Sequence, residues 1–175
     1  MRALAGAETI RRFMRELGAV AREDGACYLV GGATAVLFGW RGTTVDIDIA
    51  LLPEQDVLLR ALPRIKNELH VNVELASPGG FVPLPDGWQG RSPSIERVGR
   101  LAFHHFDLYA QALAKLERAH DRDHADVRAM LGAALIEPAR LLAFFDEIEP
   151  KLYRFPAIDP PSFRRRVELV AGWTG

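Results

Sequence analysis

Five residues, Val45-Asp46-Ile47-Asp48-Ile49, constrain this chain more than any others. Their period of two predicts a strand with Val45, Ile47 and Ile49 on one face and both carboxylates on the other. Like charges about 7 Å apart on one strand repel, so a chain that keeps both offers them to a cation, a divalent metal being the natural partner. Upstream, the apolar run Tyr28-Leu29-Val30 ends in Gly31-Gly32 and passes into the segment Ala33 to Phe38. The order is strand, turn, short helix, strand. Glycine lets the backbone turn sharply and approach a ligand closely, and a helix opening behind it aims N–H groups at a phosphate. The plainer alternative is that Asp46 and Asp48 line the solvent side of an edge strand and the glycines only make a turn.

G-G, a short helix and D-x-D in this order resemble the nucleotidyltransferase fold of the DNA polymerase beta superfamily. Arg41-Gly42-Thr43-Thr44-Val45-Asp46-Ile47-Asp48-Ile49-Ala50 is similar to the R-x-T-x-D-I-D-L pattern of its AbiE-type, toxin-like branch, with Thr43 as the motif threonine and Thr44 beside it. A second segment, containing Lys115, Leu116, Arg122, Asp123, Asp126 and Val127, is similar to that family's A-x-K-L helix end followed by R-D-x-x-D-V. The resemblance covers roughly Tyr28 to Leu131.

It implies an α/β (α+β) nucleotidyltransferase fold: a small mixed sheet flanked by helices, residues 1–106, and a helical C-terminal part, residues 107–175, packed on that core and closing one side of the nucleotide cleft. The implied reaction moves a nucleoside monophosphate from an NTP to an acceptor and releases pyrophosphate. Asp46 and Asp48 would hold Mg²⁺ or Mn²⁺. Glu74 is the candidate third carboxylate, ligating the metal or deprotonating the acceptor. Gly31 and Gly32 would cradle phosphate, and Arg41, Thr44, Lys115 and Asp126 would serve the nucleotide. AbiE-type relatives are toxins paired with antitoxins, and some extend the 3′ end of tRNA, so RNA leads as acceptor. Other branches modify aminoglycosides or proteins. A different class of reading is a non-catalytic module of the same fold that binds a nucleotide or a partner.

The residues bear on these roles independently. Arg41, just upstream of two carboxylates, either pairs with them or contacts a phosphate. The run Val71-Asn72-Val73-Glu74-Leu75 alternates and sets His70, Asn72 and Glu74 on one face. Lys115 either neutralises a triphosphate or lays its stem along the surface, and Asp126 either holds Lys115 or pairs with Arg122 one turn away.

Apolar spacing predicts a helix from Ala5 to Asp24 ended by Gly25, and another after Pro53 with Val57, Leu58, Ala61, Leu62, Ile65 and Leu69 as its stripe. The segment from Ser77 to Ser94, rich in Pro and Gly, reads as a loop or irregular hairpin, and Ile95 to Phe106 adds one or two strands. From Asp107 the chain is helical, with Asp121 the expected cap of the second helix, Pro138 opening a third, and Phe163 to Val170 a last one carrying Arg164-Arg165-Arg166. Those arginines read as a solvated face rather than an RNA contact. The histidines form no zinc pattern.

A chain of 175 residues, 49% hydrophobic and 26% charged, has the composition of a globular protein able to bury a core. Its net charge of -1 gives no overall basic excess for nucleic acid. Cys27, the single cysteine, reads as core, and the lack of an internal disulfide agrees with a reducing cytosol. Without a long apolar run or a leader-like N-terminus, the expectation is a cytoplasmic protein with no membrane partner.

Overall fold

The computed structural model describes residues 3–173. Two compact units divide the chain: Met1–Ser77 with Ser92–Phe106, and Pro78–Arg91 with Asp107–Gly175.

The first unit carries the carboxylate strand. Its elements are α1 (Ala7–Val20), β1 (Gly25–Val30), α2 (Gly32–Phe38), β2 (Asp46–Leu52), α3 (Asp56–Leu69), β3 (Asn72–Leu75), β4 (Ser94–Val98) and β5 (Leu101–His105). Among the described residues the five strands form one mixed sheet in the order β3-β2-β1-β5-β4. β1 runs antiparallel to β2 and parallel to β5, β2 runs parallel to β3, and β4 and β5 form an antiparallel hairpin. The alternation read in the sequence fixes the faces. Cys27, Leu29, Ile47, Ile49, Leu51, Val73 and Phe103 are buried in one core with Ile10, Phe13, Met14 and Leu17 of α1 and Leu58, Leu62 and Ile65 of α3. Cys27 is indeed core, and burial pushes its thiol pKa far up.

Several boundaries differ from the sequence expectation. α1 ends at Val20, where Ala21 turns extended, and Gly25 opens β1 instead of closing the helix. Pro53 lies outside α3: β2 stays paired out to Leu52, opposite Ala26, the Leu52–Pro53 peptide is cis, and the helix begins at Asp56.

The second unit is helical: α4 (Trp88–Arg91), α5 (Leu108–Arg118), α6 (Asp121–Gly132), α7 (Pro138–Ile148) and α8 (Pro160–Ala171). Asp107 caps α5 by accepting from Tyr109 N at 3.3 Å, and its other oxygen pairs with Arg91 at 2.8 Å. His120, not Asp121, takes the N-cap position of α6, and Asp121 falls in its first turn, where a carboxylate still favours the helix dipole. α7 and α8 share a core in which Phe145 meets Phe163 edge-on, the ring centroids 4.8 Å apart. The arginine triplet is not a merely solvated face. Arg164 pairs with Asp146, Glu149 and Glu168, while Arg166 donates to the Leu116 and Glu117 carbonyls at the end of α5.

Candidate active site

Register brings the glycine turn to the carboxylates. In the β1/β2 pair Val30 stands opposite Asp48, so the chain leaving β1 at Gly31 passes directly beside that aspartate. Gly31 has φ 60° and ψ -120°, a conformation side chains avoid, and a Cβ there would lie 3.4 Å from Asp48 Oδ2. At Gly32 a Cβ would stand 2.0 Å from Thr44 Oγ1, with Arg41 Nη1 at 3.6 Å. Gly31 therefore lets backbone lie against β2, and Gly32 lets it lie against Thr44, two residues before that strand. Because α2 has only seven residues, the close approach of this backbone, more than a long helix's dipole, is what the turn offers a phosphate.

Thr44 is buried and committed internally. Its hydroxyl donates to the Asp46 carbonyl at 3.0 Å, and its backbone exchanges two hydrogen bonds with Ala5. Thr43, the motif threonine by spacing, is exposed. Arg41 is half-buried beside Gly32.

On the polar face of the sheet, parallel pairing sets Asp46 beside Asn72 and Asp48 beside Glu74. Asp46 and Asp48 are half-buried and Glu74 is exposed. The Asn72 carboxamide lies between two acids, its Nδ2 donating to Asp46 Oδ1 at 2.7 Å and to Glu74 Oε1 at 2.8 Å. Sequence reasoning placed Asn72 on this face but gave it no role; the signal was its position two residues before Glu74. Among the described residues no three His, Cys, Asp or Glu side chains converge on one cation position.

A divalent ion nevertheless suits the donors present. Mg²⁺ is ordinarily held by one or two carboxylates, with substrate phosphates and water completing its octahedron. Asp46 and Asp48 supply two hard oxygen donors on one strand face, and the missing side chain of Gly31 leaves the space over Asp48 Oδ2 that a Cβ would fill.

In the helical unit, Lys115 is buried, which overturns the alternative that its stem lies along the surface. Its ammonium donates to Asp126 Oδ2 at 2.7 Å and Asp123 Oδ1 at 3.4 Å. Of the two partners open to Asp126 from spacing alone, Lys115 is the one bonded. Asp123 also receives two bonds from Arg118, at 2.9 and 2.6 Å. Burial pushes the Asp123 pKa upward, but the Arg118 hydrogen bonds and the Lys115 charge outweigh it, and the net shift is down. Lys115 and Asp126 belong to the helical unit, the glycines and sheet carboxylates to the other.

A family model described as a nucleotidyltransferase of unknown function (DUF6036) matches residues 8–154. No curated protein and no solved structure matches the chain.

Proposed function

We propose that this chain, which belongs to that family of nucleotidyltransferases of unknown function (DUF6036), moves a nucleoside monophosphate from an NTP to RNA, the 3′ end of tRNA above all, as the toxin of a toxin–antitoxin pair in the cytoplasm. One observation carries the nucleotidyl-transfer half of this reading: two aspartates share one face of β2, with the Gly31 backbone lying against the second. The acceptor half rests on the similarity of the Arg41 to Ala50 segment to the toxin-like branch. No described helix is long and apolar enough to cross a membrane.

In the reaction an acceptor oxygen attacks the α-phosphorus, the bond from that phosphorus to the bridging α–β oxygen breaks, pyrophosphate leaves and the acceptor hydroxyl gives up its proton. Asp46 and Asp48 hold Mg²⁺ or Mn²⁺, which supplies charge neutralisation and alignment for in-line displacement. Gly31 admits the triphosphate close to Asp48, and Gly32, buried against Thr44, fixes the turn behind it. Arg41, beside Gly32, brings a planar cationic fork suited to phosphate oxygens. Glu74, exposed next to Asp48, is the carboxylate offered to the departing proton. Lys115 is bonded to Asp126 and Asp123 and its charge is balanced within the helical unit, while Thr44 holds the strand entrance.

The test is label transfer from each α-³²P-labelled NTP, with Mg²⁺, to total tRNA and to the protein itself, comparing wild type with Asp46→Ala/Asp48→Ala. Labelled tRNA that disappears in the double variant is the expected result and identifies the base. Label on protein moves the acceptor to protein, and label on neither, with an aminoglycoside labelled instead, moves it to a small molecule. Saturable Mg-NTP binding without label on any of these acceptors would overturn the catalytic reading in favour of a nucleotide-binding module.

A further inference from the structure

The carboxamide of Asn72 spends both Nδ2 hydrogens on acids, one on Asp46 Oδ1 and one on Glu74 Oε1. An amide can donate to two carboxylates at once, which an aspartate or an alkyl side chain at this register position cannot. Each bond fixes a different thing. The bond to Asp46 holds one carboxylate oxygen and so sets the direction of the other. The bond to Glu74 draws that side chain along β3 toward Asn72, consistent with the lack of a three-acid convergence among the described residues.

We propose that Asn72 is a positioning residue of the cation site: it orients Asp46 for the metal and, by engaging Glu74, keeps that carboxylate out of the coordination set, which is then the pair Asp46 and Asp48. The inference rests on the cation reading given above and assigns Glu74 to the substrate side. The carboxamide does not touch the metal. It acts through Asp46, as outer partners of metal-binding carboxylates do, and loss of such a partner typically lowers metal affinity about 10-fold to 100-fold.

The experiment is Mn²⁺ binding to the full-length protein, followed by electron paramagnetic resonance of free Mn²⁺ with a non-hydrolysable NTP present, on folded variants matched by circular dichroism. Wild type is expected to bind, and Asp46→Asn/Asp48→Asn to lose binding. Asn72→Leu, close in volume but without donors, is expected to weaken binding about 10-fold or more. Glu74→Gln is expected to hold within about threefold of wild type while label transfer falls, a separation that a Glu74 metal ligand would not give. Binding that survives in Asp46→Asn/Asp48→Asn, or is absent from wild type, overturns the cation reading itself. Binding lost in that double variant but unchanged in Asn72→Leu, or lost in Glu74→Gln, overturns the role given to Asn72 and leaves the cation reading standing.

Discussion

Lys115 is the residue whose environment departs furthest from an ordinary lysine's. A buried ammonium is tolerated only when paired and hydrogen-bonded, and Asp126 and Asp123 supply both. Asp123 is further held by Arg118, so two cations and two carboxylates close into a network of balanced charge across α5 and α6. Removing Lys115 takes from the buried Asp126 an ammonium at 2.7 Å, while Asp123 keeps Arg118. Lys115→Ala should therefore cost roughly 3–5 kcal/mol of unfolding free energy, the range for breaking a buried pair from one side. Urea unfolding measures it. A loss below about 1 kcal/mol, the worth of a surface pair, would show that the ammonium is solvated in solution.

At the scale of elements, α2 is tied to the sheet through His105. The Thr34 hydroxyl on α2 donates to the Leu29 carbonyl at 3.1 Å, so the 3.2 Å contact with His105 Nδ1 must be an N–H donated by the ring. Both the neutral Nδ1–H tautomer and the imidazolium carry that proton, and burial favours the neutral ring. Burial, reinforced by the neighbouring His104, lowers the His105 pKa from 6.5 to about 4. Because the folded value lies below the unfolded one, the unfolded chain binds the extra proton between these limits. Stability from this group is complete above pH 6.5, declines as pH falls toward 4, and changes no further below that. The shift corresponds to about 3 kcal/mol at most. Urea midpoints from pH 7 to 4 should fall in wild type and flatten in His105→Gln; equal slopes would exclude His105 as the source. Asp123, whose folded pKa is lowered, gives up its contribution only below its ordinary value of 3.8, outside this window. None of this was legible in the sequence, because a histidine's burial is decided by what packs on it. β2 and β3 were legible from their alternation, although Val45 and Leu75, read as core-facing, are exposed. α3 was legible through its apolar stripe, even with Pro63 inside it, but its start was not, because Pro53 fits a first helical turn as well as it fits the end of a strand. Asn72 escaped for a related reason: spacing assigns a face, whereas the bond to Asp46 depends on the register of β3 against β2.

For the whole molecule, the informative feature is that neither unit is a continuous stretch of chain. Residues 78–91 leave the sheet-bearing unit after β3, join the helical one, and return at Ser92 for the β4–β5 hairpin. Rich in Pro and Gly, this stretch reads in the sequence as a loop or irregular hairpin; it contains a 3₁₀ turn at Pro78–Gly80 and the short α4, and composition says nothing about which unit holds it. Its partners lie far along the chain. Arg91 pairs with Asp107 at 2.8 Å and stacks 4.2 Å over the Phe144 ring, Asp86 N donates to Glu147 at 2.6 Å, and Lys151 lies 3.6 Å from Asp86. A fragment of residues 1–106, the core that the family resemblance implies, would keep the segment and lose every one of these partners. Backbone without packing or hydrogen-bond partners is where proteases enter. Trypsin at Arg91 and chymotrypsin at Phe81 or Trp88 should therefore cut the 1–106 fragment at least about tenfold faster than the full chain, as cleavage follows the population of the open segment when reclosing is fast. Cleavage is followed by mass spectrometry, with sites in α1 and α3 as internal references. Equal rates in fragment and full chain would mean that residues 78–91 are held by the sheet-bearing unit, and that the chain divides in solution at residue 106 alone.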